Sequence, residues 1–426
     1  MKKLVLLLAS ILLTCQMIGQ VRGNNIRVTV TPDHKDWTYK IGQQVSFTVN
    51  VLKSGTLLDN AKIDYEMGPV MYPDVKKKDV TLKEGTMTTS ATMKKAGFLR
   101  LKVTAHVNGK DYDGLCSVAF SPEKIQPVTT CPDDFDEFWN KSLSDARNTS
   151  LEPTSELLPD RCTKDVNVYQ VSFQNIRWGS RTYGILCIPV KPGKYPALLR
   201  VPGAGIRPYY GDIQTASKGA ITLEIGIHGI PVTMTQDYYD KLFYGALNGY
   251  WTFNRNNRDE FYYKRVFVGA IRAIDYICSL PEWNGVSLGV TGSSQGGMLS
   301  LVCAALDKRV SFYGAVHAAM CDHLASLKEE PCGWPHYFYG QKNPDPKEVE
   351  TSRYYDGINF ARRITVPGWF SFGYYDEVVP PTSAFATYNV VGGKKELHPY
   401  PETGHFWYQE QYDEWNEWLW SQMGIK

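Results

Sequence analysis

The chain has 426 residues, enough for two or three domains at about 150 residues each. Its residues are 43% hydrophobic and 13% aromatic, which excludes a disordered chain. A formal net charge of +2 argues against nucleic acid as the main partner, because neutralising phosphates needs a clear excess of Lys and Arg.

Met1-Lys2-Lys3 precedes a ten-residue apolar run from Leu4 to Leu13, interrupted only by Ser10. A basic start and a short apolar stretch form a signal-peptide pattern, too short to span a membrane. Residues 1–23 are therefore expected to be an export leader, giving a periplasmic or secreted protein. Lipid attachment at Cys15 is disfavoured, because Thr14 is bulkier than the small residue such sites use. No other stretch qualifies as a transmembrane segment. Loss of Lys2, Lys3 and Arg22 takes the formal charge from +2 to −1.

Residues 24–125 alternate strand-like runs with turns. Ile26–Val30, Val45–Val49 and Leu99–Ala105 have period two, Asn108-Gly109 is a hairpin signal, and Leu115–Phe120 follows as a strand. This spacing predicts an immunoglobulin-like β-sandwich. Ser121-Pro122 to Gln126-Pro127 reads as a linker, so the sandwich is expected to be separable from the remainder.

From residue 126 to the end the pattern changes. Asp133 or Asp134 is expected to cap a helix whose Phe135, Phe138, Trp139 and Leu143 line one face. Strands are expected at Ala197–Val201, Ala220–Ile225, Val286–Val290, Phe312–Val316 and Gly368–Phe372. Helices are expected at Val266–Leu280, Gln295–Leu306 and Gln409–Met423. Alternating β and α predicts a mostly parallel sheet covered on both faces.

Eight cysteines remain beyond the leader. Cys187, Cys278 and Cys303 lie in apolar runs and read as core thiols; Cys321 and Cys332 are close enough in sequence to pair. No C-x-x-C or H-E-x-x-H spacing occurs, so neither a metal nor another cofactor is expected. Gly203-x-Gly205 follows a strand like part of a dinucleotide fingerprint, but Pro208 occupies the third glycine position, which argues against a nucleotide.

Gly292-Ser293-Ser294-Gln295-Gly296 is G-x-S-x-G between an expected strand and an expected helix. That context is the nucleophile elbow, with Ser294 at the turn and Gly292 and Gly296 as its small flanks. The elbow predicts an acid after a later strand, then a histidine near the end. Asp376 follows Gly368–Phe372, and His405 precedes the last helix. Glu377 is the neighbouring alternative acid, less favoured because it is longer and one residue further on. His317 and His323 precede Asp376, and His398 lies in a strand, so they fit worse. His405 would take the Ser294 proton and Asp376 would orient the imidazole. Oxyanion donors are expected from the backbone N–H groups of Ala204, in the loop Pro202–Gly205, and of Gln295 at the helix start.

These residues resemble the acetyl xylan esterase/cephalosporin-C deacetylase family of carbohydrate esterases. The likeness runs from about Asp134 to the end. It is carried by Asp134-Phe135-Asp136-Glu137-Phe138-Trp139, Tyr262–Val266, Gly292–Gly297 as G-x-S-Q-G-G, Cys321-Asp322, and Gly373-x-x-Asp376 with Pro380-Pro381. It implies an α/β-hydrolase that removes acetyl groups from sugar hydroxyls, with Ser294, Asp376 and His405 as triad and Ala204 and Gln295 as oxyanion hole. The family's Arg-Gly-Gln segment is here Gly226-Ile227-His228-Gly229, its His-Glu is His405-Phe406, and the helix before the elbow has Gly269 at an acidic position. These departures, with the added sandwich, mark a distant branch and leave the family's ring-like homo-oligomer open.

Trp251 and Phe253, and Trp334 and Tyr337, sit in aromatic-rich loops suited to stacking on sugar rings. The expected partner is thus an acetylated poly- or oligosaccharide. A serine peptidase of the oligopeptidase type and a sugar-binding protein with a decayed hydrolase domain are the competing readings. The absence of propeller repeats counts against the first, and the intact Ser294, Asp376, His405 order against the second.

Overall fold

The structure, a computed structural model, describes residues 25–426. The expected leader and Cys15 lie outside the described residues. Among the described residues no helix is long and apolar enough to cross a membrane.

Two sheets form the N-terminal unit. One holds the strands Ile26–Pro32, Val45–Lys53, Thr56–Leu57 and Thr86–Ala91. The other orders Thr38–Tyr39, Lys110–Phe120, Gly97–Val107, Ala61–Pro69 and Val75–Leu82. Alternation drives their packing: Val45, Phe47, Val49 and Val51 are fully buried at every second position, and they share a core with Leu101, Val103 and Ala105 of the other sheet. Asn108 and Gly109 both have positive φ, 53° and 72°, as a tight hairpin turn requires.

A nine-stranded sheet follows. Its order is Thr154–Leu157, Val166–Gln174, Arg181–Pro189, Ile221–Gly226, Tyr195–Arg200, Trp283–Ser293, Phe312–Val316, Gly368–Phe372 and Lys395–Pro399. Its pairings are antiparallel up to Ile221–Gly226 and parallel from there on. The chain leaves Tyr195–Arg200 to one side, then returns past it to Trp283–Ser293 on the other. That reversal opens a crevice at the carboxyl ends of these two strands.

The strands expected at Phe312–Val316 and Gly368–Phe372 and the helices Gln295–Leu306 and Gln409–Met423 lie where the sequence puts them. The first helix, Phe135–Arg147, buries Phe135, Phe138, Trp139 and Leu143 as expected. Its cap differs. Asp134 sits at the N-cap position without a side-chain capping bond, because its carboxylate pairs with Arg258 at 2.8 Å and accepts from the Tyr354 hydroxyl. A cation and a phenol outcompete the helix N–H groups for the same oxygens. Cys321 and Cys332 are separate, buried thiols.

The linker also differs from expectation. Asn389 Nδ2 donates to the Pro122 and Ile125 carbonyls at 2.9 Å each. The Asp322 carboxylate accepts from the Val128 and Thr129 N–H groups at 2.9 and 2.8 Å. Val70, Phe98, Ala119 and Ile125 join one apolar cluster with Phe372, Tyr374 and Phe385. The two units therefore share a core. Phe98, 1% exposed, lies 4.8 Å from the Tyr374 ring and 5.6 Å from Phe385. Phe98→Ala should cost about 3–5 kcal/mol. Urea unfolding should show one transition, followed identically by tryptophan fluorescence and by loss of activity. Two separated transitions, only one of them moved by the substitution, would contradict the shared core.

Candidate active site

Strand Trp283–Ser293 runs directly into helix Gln295–Leu306, and Ser294 is the hinge. Ser294 has φ 62° and ψ −123°, a conformation that costs a side-chain-bearing residue about 1–3 kcal/mol. The surroundings hold it there. Its N–H donates to the Val316 carbonyl at 2.8 Å, and its carbonyl accepts from the Ala319 N–H at 3.0 Å. A Cβ on Gly292 would lie 2.4 Å from the Val201 carbonyl oxygen, and one on Gly296 2.3 Å from the same atom. Both flanks of the elbow must therefore be glycine for strand and helix to pass the neighbouring strand end.

The structure brings Ser294, His405 and Asp376 together. His405 Nε2 is 3.0 Å from Ser294 Oγ, and His405 Nδ1 is 2.8 Å from Asp376 Oδ2. The other carboxylate oxygen, Oδ1, accepts from the Val378 and Val379 N–H groups at 2.8 Å each. Asp376 has no exposed surface. Burial pushes its carboxyl pKa up, but the close approach of the His317 and His405 imidazoles, and their charge, outweigh burial and hold it well below the usual carboxylate range. Glu377, the alternative acid, points away, with 57% of its side chain exposed.

His317 is the group that sequence order set aside. It follows strand Phe312–Val316 directly, is 1% exposed, and places Nδ1 3.2 Å from Asp376 Oδ2. Two imidazoles thus converge on one carboxylate oxygen, with ring centres 5.3 Å apart. Chain order could not reveal it. Its position at the carboxyl end of the strand beside the elbow strand is the signal that could have.

The loop Pro202–Gly205, expected to supply an oxyanion donor, lies against Ser294: a Cβ on Gly203 would be 3.8 Å from Ser294 Cβ. Among the described residues, neither the Ala204 nor the Gln295 N–H is taken by a protein acceptor. The Gln295 side chain, valued from sequence only for its backbone, is fully buried and organises the loop. Its Oε1 accepts from the Tyr250 and Tyr263 hydroxyls at 3.0 and 2.7 Å, and its Nε2 donates to the Pro202 carbonyl at 3.2 Å. The Tyr250 hydroxyl in turn accepts from the Gly205 N–H at 3.3 Å. His228, from the segment that departs from the family pattern, donates from Nε2 to the Gly205 carbonyl at 3.0 Å while Nδ1 accepts from the Tyr262 hydroxyl at 2.8 Å.

Ser294 and His405 open into a cavity of about 910 Å³ in the crevice between the two strand ends. Of the aromatics expected to stack on substrate, Trp251 and Trp334 line it, with ring centres 5.6 Å apart. The expectation for Tyr337 and Phe253 is corrected. Tyr337 is 5% exposed and uses its hydroxyl to hold the Trp251 carbonyl, so its ring is not presented to the cavity. Phe253 packs beside Tyr262, off the cavity wall. Tyr210, Phe243 and Trp407 stand on the wall instead. They come from two loops and the helix Gln236–Tyr244, far apart in sequence, so no local sequence pattern groups them.

Residues 122–422 match the model of the family described as acetyl xylan esterase (AXE1). The chain is 38% identical over 411 residues to acetyl esterase Axe7A of Xylanibacter ruminicola, across 95% of this chain and 92% of that protein. The solved acetyl xylan esterase from Paenibacillus sp. R4 matches with TM-score 0.62 and 27% identity, over 70% of this chain and 98% of that one. Acetyl xylan esterase 1 from Thermoanaerobacterium sp. JW/SL YS485 shares the fold with TM-score 0.61 at 24% identity, over 71% of this chain and 97% of that one. Both solved enzymes are covered almost whole by about seven-tenths of this chain, so the remainder is an addition to their fold. The chain belongs to the acetyl xylan esterase family and is a carboxylic ester hydrolase of the α/β-hydrolase fold.

Proposed function

We propose that this protein is an exported serine esterase that removes acetyl groups from acetylated poly- or oligosaccharides through an acetyl-enzyme. The observation that carries the reading is the Ser294–His405–Asp376 chain of contacts at 3.0 and 2.8 Å beneath an aromatic-walled cavity. Ser294 Oγ attacks the acetyl carbonyl carbon as His405 Nε2 takes its proton. Negative charge on the carbonyl oxygen is met by the Ala204 and Gln295 N–H groups. Collapse breaks the bond to the sugar oxygen, which leaves with the proton from His405. Water then attacks acetyl-Ser294 with His405 again as base, releasing acetate and restoring the serine. Trp251, Trp334 and Trp407 offer flat faces to the sugar rings. The apolar start of the sequence supports export, and the two-sheet unit supports an immunoglobulin-like sandwich over residues 24–125 ahead of a catalytic domain over 126–426.

Purified protein should release acetate from acetylated xylo-oligosaccharides. Ser294→Ala should lower kcat about ten-thousand-fold or more while leaving the fold intact. Unchanged turnover in that variant would end the serine-esterase reading.

The oxyanion loop adds a pH prediction. Burial, reinforced by Arg265 and Arg207, pushes the His228 pKa down to about 4 despite its bond to the Gly205 carbonyl. Against an ordinary value of 6.5, the unfolded chain binds this proton more readily between the two values. Stability from His228 is therefore present above 6.5 and lost as pH falls towards about 4. His228→Gln should flatten the fall of Tm with acidification across that window. An unaltered slope would contradict a neutral, buried His228.

A further inference from the structure

One buried cation serves no part of the chemistry above. Arg100 belongs to strand Gly97–Val107 of the N-terminal unit and is 8% exposed. Its Nε donates to Ser117 Oγ at 2.8 Å, within its own sheet. Its other two nitrogens leave that unit. Nη1 donates to Glu377 Oε1 at 3.0 Å, and Nη2 to the Tyr374 and Asp376 carbonyls at 3.1 and 3.3 Å. Three of its four bonds therefore fall on the four-residue segment that carries the triad carboxylate.

The same segment is gripped from two further sides. Phe98 meets Tyr374 edge to face at 4.8 Å, and Trp37 lies 5.8 Å from Tyr375. Opposite, the Tyr374 and Tyr375 N–H groups donate to the Pro401 and Thr403 carbonyls at 3.3 and 3.1 Å, just before His405. A Cβ on Gly373 would fall 1.8 Å from the Thr403 carbonyl oxygen, so the acid and histidine segments touch backbone to backbone.

We propose that Arg100 is a positioning residue for Asp376, so that the N-terminal unit is a working part of the active site. This rests on the serine-esterase reading above. Chelating the carbonyls of residues 374 and 376 with one nitrogen fixes the turn between them, and with it the line from the carboxylate to His405. Only a guanidinium fits the task. Its planar fork spans a hydroxyl, a carboxylate and two carbonyls at once, where lysine offers a single point charge. Simple adhesion between the units would be better served by an apolar residue, because burying a cation whose one carboxylate partner is 57% exposed gains little stability.

The test uses the full chain and 4-nitrophenyl acetate, with Arg100→Met and Arg100→Lys made alone and in an Asp376→Asn background. Arg100→Met should lower kcat roughly 10- to 100-fold with KM changed less than about twofold, since misplacing a triad member by a fraction of an ångström affects the transition state more than binding. Against Asp376→Asn, the same change should alter the residual kcat less than about twofold, because residues acting through one unit are non-additive. Arg100→Lys keeps the charge, supplies a decision should the Met variant fail to fold, and should still lose kcat by about fivefold or more. A folded variant with native kcat, or an equal loss in both backgrounds, would overturn the proposal. Ser294→Ala separates the two claims: if it stays active the esterase reading fails, and if it is dead while the Arg100 variants are native only the positioning role fails.

Discussion

An ionised carboxylate sealed from water costs several kcal/mol unless each of its oxygens is met by donors or positive charge. Asp376 is such a group, and the surrounding structure supplies what it needs. Two backbone N–H groups take one oxygen, and His405 and His317 converge on the other. Its main chain is bent by Gly373 against the histidine loop and pinned by Arg100 from another sheet. An anion held this way presents Oδ2 to His405 Nδ1 at 2.8 Å and so orients the imidazole. Its other nitrogen, Nε2, then faces Ser294 Oγ at 3.0 Å.

The turn at Ser294 depends on a second constraint, which is steric. Strand Trp283–Ser293 and its following helix pass within contact of the Val201 carbonyl, and both elbow glycines are needed there. The strand that ends just before this carbonyl, Tyr195–Arg200, continues into the loop Pro202–Gly205. One carbonyl approach therefore sets Ser294 beside the loop Pro202–Gly205 at the mouth of a single crevice. The Gln295 side chain then ties them together through Tyr250 and Pro202. The cavity lies where the strand order reverses, a place that belongs to the sheet topology rather than to the loops that decorate it.

Much of this was legible in the sequence, for definable reasons. Period-two runs such as Val45–Val49 announce strands because alternate faces meet core and solvent, and G-x-S-x-G between a strand and a helix announces the elbow because only glycine fits its flanks. Chain order singled out Asp376 and His405, which meet beside Ser294. What stayed hidden involves partners distant in sequence. Arg100 and Asp376 are 276 residues apart, and nothing local to either marks the other. Asp134 looked like a cap until Arg258 and Tyr354 reached it from elsewhere. Tyr337 looked like a sugar platform because an aromatic run does not say which rings face inward. The linker looked free because its prolines were visible and the Asn389 and Asp322 side chains that tether it were not.

If Ser294 is the nucleophile, it carries the acetyl group between the sugar and water. Acid-quenching the enzyme during turnover of 4-nitrophenyl acetate, followed by peptide mass spectrometry, would trap that intermediate. An acetyl group on the peptide bearing Ser294, absent from the Ser294→Ala protein and formed with a burst of nitrophenol, is the predicted result. Full turnover without a burst and without acetyl on that peptide, or with acetyl on another residue at a kinetically competent rate, would contradict it.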